Sequence, residues 1–135
     1  VVSLRGFHHV KLPVSDIAAS REWYERVLGL TVTIEFVEEG TVMGLALSDP
    51  GGTVGLALRY APERAAALAG FDAVAIGVPT GAEVVEWGER LDEMGVPHGG
   101  VVSGHHGASL LVGLQDPDGI EIRLYALDGP AGGER

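Results

Sequence analysis

The stretch Phe7-His8-His9-Val10-Lys11-Leu12-Pro13-Val14 decides the reading of this chain, because Phe71-Asp72-Ala73-Val74-Ala75-Ile76-Gly77-Val78 repeats its pattern 64 positions later. Both segments alternate, and side chains of a strand point to opposite faces with period two, so each reads as a strand. The segment after each copy repeats as well. After the first, Asp16 opens an amphipathic run with Ile17, Trp23, Tyr24, Val27 and Leu28 on one side, and Gly29 stops it. After the second, Thr80 and Glu83 have the spacing of a capping box. Val84, Trp87, Leu91 and Met94 recur at helical intervals, and Gly95 ends the run.

Short apolar or β-branched runs broken by glycine come after each helix and read as meandering strands: 31–37, 42–47 and 53–60, then 96–102, 109–114 and 120–127. The last hairpins match too, since Leu47-Ser48-Asp49-Pro50-Gly51-Gly52 parallels Leu114-Gln115-Asp116-Pro117-Asp118-Gly119. The expected fold is α+β: two tandem βαβββ modules, 6–60 and 71–127, in one domain covering 6–127. The linker 61–70 is alanine-rich and compatible with a helical turn, and 128–135 is a polar, Gly-rich tail expected to fray. Each module has a helix on one sheet face and nothing on the other. Two open faces set together would enclose a mixed-sheet cavity of the kind that holds small ligands.

Composition excludes several functions. The 135 residues contain no cysteine, so disulfides, thiolate metal sites and thiol nucleophiles are ruled out, and any metal must rest on His, Asp or Glu. Nine Lys and Arg against 19 Asp and Glu give a formal charge of −10, which repels nucleic acid and anionic membrane. No apolar run spans a bilayer, and the opening residues lack the blocks of a signal peptide, so the expectation is a cytoplasmic protein. No Ser/His/Asp set, Walker loop or dinucleotide fingerprint is present.

The paired modules, the His-Val-x-Leu-x-Val strand followed by Ser15-Asp16, the Tyr24-x-x-Val27-Leu28-Gly29-Leu30 helix end and the Asp116-Pro117-Asp118-Gly119 hairpin resemble the vicinal oxygen chelate superfamily. That group includes glyoxalase I, bleomycin-resistance proteins and extradiol dioxygenases. The resemblance runs from Gly6 to Leu127 and implies the fold, while unrelated chemistries share such a scaffold. It also implies a divalent metal on four His or Glu side chains in metal-dependent members. Position by position, the chain offers His9, then Ala73 after Asp72, then Arg123, then Leu56 or Ala57. One family-type ligand survives, so no metal cofactor is expected.

Strand parity suggests what occupies the face instead. With Val10, Leu12 and Val14 under the helix, His9 and Lys11 face the cavity. With Ile120, Ile122 and Leu124 buried, Glu121, Arg123 and Tyr125 face it, and Ala57, Ala73, Ala75 and Gly77 leave room. Arg123 has two readings: it binds an anionic ligand, or it pairs internally with Glu121, Asp72 or Glu35. His9 is a packing relic, a hydrogen-bonding residue or a general base. His105 and His106, between Gly104 and Gly107, form a solvated loop or touch ligand, and His98 reads as exposed. Trp23, Tyr24 and Trp87 read as core.

The leading functional expectation is a sequestering protein that binds a small, anionic organic molecule, works as a homodimer and has no nucleic-acid or membrane partner. The alternatives are a glyoxalase-like lyase or isomerase, or a dioxygenase, acting on a small organic acid, metal-free with His9 as base or with rearranged ligands. A module with an unused pocket is the third.

Overall fold

The structure, a computed structural model, describes residues 1–130; the end of the expected tail, 131–135, lies outside the described residues. The chain divides into two compact units, Val1–Ala67 and Leu68–Arg135. The first runs β1 (Val10–Val14), α1 (Ile17–Leu28), β2 (Thr31–Glu38), β3 (Thr41–Ser48) and β4 (Gly55–Tyr60). Helix α2 (Pro62–Leu68) follows. The second runs β5 (Asp72–Gly77), α3 (Gly81–Glu93), β6 (Val101–Ser103), β7 (Ser109–Leu111) and β8 (Glu121–Ala126). Each unit holds one four-stranded sheet, ordered β1-β4-β3-β2 and β5-β8-β7-β6. In both, the first and last strands pair in parallel and the remaining neighbours are antiparallel. The α+β class and the βαβββ order are present in each unit.

In the first unit Asp16 caps α1 by accepting the Ala19 N–H at 3.0 Å. Gly29 closes the helix at φ 71°, a left-handed conformation that glycine adopts without strain. Trp23, Tyr24, Val27 and Leu28 are buried where α1 packs on β3 and β4, with Leu12, Val14, Leu45, Leu47, Leu56 and Leu58 beneath. Each such side chain stabilises the unit by roughly 1.5 to 3 kcal/mol relative to exposure. In the second unit Thr80 accepts the Glu83 N–H at 3.1 Å. Val84 and Leu91 are buried where α3 meets β7 and β8, and Leu111, Ile122 and Leu124 are buried on those strands.

The two matching hairpins use one device. The Asp49 carboxylate accepts the Val54 N–H at 2.8 Å and the Thr53 hydroxyl at 2.7 Å. The Asp116 carboxylate accepts the N–H groups of Asp118 at 2.9 Å and Ile120 at 3.0 Å. Each aspartate thereby folds the chain back before the last strand, and these turn bonds hold the Asp49 carboxyl below its ordinary pKa.

The second module departs from its expected strands. Segment 96–100 is not strand: Pro97, Gly99 and Gly100 interrupt it, and Gly113 passes so close that a Cβ there would lie 2.7 Å from the Gly99 nitrogen. Strand β6 therefore begins at Val101 and β7 ends at Leu111. His98 is packed rather than exposed, because Nδ1 accepts the Gly100 N–H at 3.0 Å and Nε2 donates to Asp92 at 2.7 Å. Its side chain keeps only 10% of its surface. Trp87 is half-buried, not core, and carries the Arg90 guanidinium 5.3 Å from its ring centroid. The linker forms the helix α2, with Pro62 at its first position and Ala65 fully buried.

Asp128, the first residue of the expected fraying tail, is anchored within the second unit. Its carboxylate accepts the Gly81 N–H, and its carbonyl accepts the Ser109 hydroxyl at 2.8 Å. A Cβ on Gly81 would sit 1.9 Å from the Gly129 carbonyl oxygen, a backbone atom that cannot swing aside. Gly81→Ala is expected to destabilise the protein by about 3 kcal/mol, read as a lowered midpoint in urea denaturation; an unchanged midpoint would mean that this tie carries no stability.

Candidate functional site

The face of the first sheet away from α1 can be built row by row from the strand register. Lys11 pairs with Ala57, Ala57 with Ala46, and Ala46 with Ile34. The next row is Pro13, Arg59, Gly44 and Phe36. Paired residues share a face, so the two central strands present Gly55, Ala57 and Arg59 from β4 beside Gly44, Ala46 and Ser48 from β3. Gly44, Ala46, Gly55 and Ala57 floor a concave pocket of about 550 Å³, with His9 and Lys11 on its β1 side and Ile34 and Phe36 on its β2 side. The register also resolves the choice between Leu56 and Ala57: Leu56 pairs with Val10 in the helix-facing row, and Ala57 stands beside Lys11.

Gly55 lets the chain before β1 cross the end of β4. A Cβ there would lie 2.6 Å from the His8 carbonyl oxygen and 3.5 Å from the His9 Cβ. The His8 and His9 rings meet Nδ1 to Nδ1 at 2.8 Å. One ring must donate and the other accept, so the accepting ring, when neutral, carries its proton on Nε2. On the pocket wall Arg59 holds Glu38 through two nitrogens, at 2.7 and 3.2 Å. That contact lowers the Glu38 pKa and raises that of Arg59. Lys11 is exposed, and among the described residues no carboxylate stands within ion-pair distance of it.

In the second unit the equivalent row is Ala75 with Arg123. Arg123 has internal partners: Nε lies 2.7 Å from Glu121 and Nη1 lies 3.2 Å from Asp72. Of the carboxylates considered for it, Glu35 is engaged elsewhere, with Arg21 at 2.8 Å. The register between β5 and β8 shifts at Ala73, which sets Asp72 opposite Glu121 and lets its carboxylate reach Arg123. Tyr125 and Ala75 line a separate, shallower hollow of about 450 Å³ with Gly77, Val78, Pro79 and Leu127. His105 is exposed on a short 3-10 turn, in which His106 takes a left-handed φ of 57°.

The structure thus brings His9, Lys11 and Ala57 to one pocket in the first unit. It places Ala73, Ala75, His105, Arg123 and Tyr125 in the second, with Arg123 committed to two acids. The sequence reading missed Ala46, Gly55 and the Arg59–Glu38 pair. Alternation along β3 and β4 carried the signal for Ala46 and Arg59, whereas Gly55 became visible only once the register was known.

The four positions at which the resemblance implies metal ligands hold His9, Ala57, Ala73 and Arg123. The alanines have no donor side chain and Arg123 is a cation, so of these residues only His9 has the chemistry of a metal ligand. Among the described residues no group of three or more His, Asp or Glu is arranged to hold one elsewhere.

A sequence profile of the Glyoxalase/Bleomycin resistance protein/Dioxygenase superfamily matches residues 6–124. The chain belongs to that superfamily. Among its relatives is the Bacillus subtilis (strain 168) protein named "Putative ring-cleaving dioxygenase MhqA", 29% identical over 132 residues. The match takes in 93% of this chain but only 41% of MhqA, so the chain spans less than half of that relative's length. The fold is shared with TnmS3, an antibiotic binding protein from Streptomyces sp. CB03234, at a TM-score of 0.70 and 21% identity, over 93% of this chain and 98% of that one. It is also shared with lactoylglutathione lyase from Agrobacterium tumefaciens, at a TM-score of 0.72 and 17% identity, over 92% and 96% of the two chains.

Within the second unit Glu121 ties β8 to the segment after β7. It takes the Arg123 guanidinium at 2.7 Å and the Gly113 N–H at 3.0 Å, and these bonds, Arg123 foremost, hold its carboxyl below the ordinary glutamate value of 4.5. A carboxyl depressed in the folded state stabilises the fold above its unfolded pKa and loses that contribution as pH falls through the folded one. Glu121→Gln is therefore expected to lower the unfolding midpoint at neutral pH, with the deficit shrinking below the ordinary glutamate value. Denaturant titrations at pH about 7 and about 3 check this trend; a deficit that does not change with pH would mean that ionisation of Glu121 contributes nothing.

Proposed function

We propose that this protein binds a small organic molecule on the open face of its first sheet without a metal ion, as a sequestering protein of the bleomycin-resistance type. One observation carries the reading: Gly44, Ala46, Gly55 and Ala57 keep the middle of that face low, and the resulting volume of about 550 Å³ is of ligand size. Pockets for small molecules commonly measure roughly 300 to 1,000 Å³. The poor fit of His9, Ala57, Ala73 and Arg123 to a metal supports binding over metal chemistry, and the shared fold of TnmS3 supports the same class. The competing enzyme reading rests on His9 as a base and on the relative MhqA.

The test uses prodan, a neutral naphthalene dye, with chelator-dialysed protein. One saturable site per chain is expected, weakened at least about tenfold by Ala46→Leu, which raises the floor by a larger side chain while circular dichroism stays unchanged. Binding that appears only on adding zinc, manganese or iron, or that ignores Ala46→Leu, would overturn the proposal. Turnover of a small organic acid that survives chelator and disappears in His9→Ala would decide for the enzyme.

The edge strand β2 leaves Ile34, Phe36 and Val37 46 to 57% exposed, which supports association of two copies. Light scattering is expected to give twice the 14.1 kDa chain mass at micromolar concentration. A particle of single-chain mass would refute it.

A further inference from the structure

We infer that the pocket of the first unit selects organic anions and that Lys11, not Arg123, reads their charge. The inference rests on the ligand pocket proposed above and adds the chemical class of its occupant.

Charge pairing within the described residues sets Lys11 apart. Nineteen acids outnumber nine Lys and Arg in this chain, and its cations on helices and strands are mostly taken. Arg21 lies against Glu25 and Glu35, Arg26 against Glu22, Arg59 against Glu38 and Arg123 against Glu121 and Asp72. Arg90 sits over Trp87. Lys11 is the chain's only lysine and the one sheet cation without such a partner among the described residues. It projects from the pocket wall, and the residues next along its row, Ala57 and Ala46, offer only methyl groups.

The remaining charged lining residues, Arg59 and Glu38, neutralise each other, so the pocket carries one net positive charge within a chain of net charge −10. An ammonium has three donors and no acceptor, and a ligand carboxylate or phenolate supplies what the row lacks. His8 and His9 add a neutral donor from the same wall, because the ring that accepts at Nδ1 carries its proton on Nε2. The low floor takes an apolar ring or ring pair. The ligand class that fits is therefore an aromatic or alicyclic monoanion whose body lies on Ala46 and Ala57 and whose charged end meets Lys11.

The second unit shows the contrast. Ala75 and Arg123 occupy the row equivalent to Lys11 and Ala57, with the cation on the opposite strand. There Nε and Nη1 are spent on Glu121 and Asp72. A ligand anion would have to compete with two carboxylates held by the fold itself.

Calorimetric titration of 2-naphthoate and benzoate, each beside its amide, tests this on the full chain. The acids are expected to bind at least about tenfold more tightly than the amides, a charge-assisted contact's worth of selectivity. Lys11→Met should abolish the preference, Lys11→Arg should restore most of it, and Arg123→Gln, checked for folding, should leave it intact. Equal binding of acid and amide to the parent protein would overturn the charge reading and leave the pocket standing. Persistence of the preference in Lys11→Met, or its loss in folded Arg123→Gln, would overturn the assignment to Lys11. If neither acid nor amide binds, both readings fall; a drop in mass by light scattering in Lys11→Met would then make this face an interface between copies.

Discussion

The parallel pairing of the first and last strand in each unit, β1 with β4 and β5 with β8, is the constraint on which the rest depends. Residues paired in parallel share a face, so one pairing decides at once what lies under the helix and what lies opposite it. In the first unit Leu12 and Leu58 go beneath α1, while Lys11 and Ala57 go to the other side. A slip of one residue would exchange these sets, burying an ammonium and exposing leucines. The cost of stranding that charge exceeds any single packing gain in the unit. The register is thus fixed by the apolar side and inherited by the side on which chemistry is possible.

Asp49 and Asp116 hold this arrangement from the other end. Each ties the turn before the last strand through carboxylate bonds to backbone N–H groups, so β4 and β8 enter their parallel pairings in a defined phase. This is also why the sequence repeat at the hairpins is closer than the repeat along the middle strands. Turn chemistry tolerates few substitutes for an aspartate that accepts two or more bonds, while an inward strand position accepts any side chain the local face can house.

Legibility in the sequence followed the same division. Helices α1 and α3, their caps at Asp16 and Thr80, and the strands of strong alternation were readable because period and capping are local properties. The pairing of alternate residues into rows, Lys11 with Ala57 in the first unit and Ala75 with Arg123 in the second, follows the same parity. What failed to show was set by contacts distant in sequence. The loss of strand at 96–100 depends on Gly113 crossing Gly99. Likewise, the register shift at Ala73 gives Asp72 its reach to Arg123, and no periodicity announces a single inserted residue. The position of Gly55 under the His8 carbonyl belongs to the same class.

The two units illustrate how one scaffold position can be put to different physical use. Position Arg123 binds its own strand through Glu121 and the neighbouring strand through Asp72, and Glu121 in turn receives the Gly113 N–H from the segment after β7. A cation satisfied by carboxylates of its own strand and of the neighbouring strand acts as a cross-brace, and its donors are no longer available at low cost. Ala57 at the matching position braces nothing, and the parallel pairing that sets Lys11 beside it provides no acid. The Lys11–Ala57 row can dispense with a brace because β2, β3 and β4 run for eight, eight and six residues, whereas β6 and β7 have three each. Backbone ladders in the longer sheet supply the cohesion that side-chain charge supplies in the shorter one. The row of Lys11 and Ala57, which holds no internal ion pair, is the one that can leave a charge for something else.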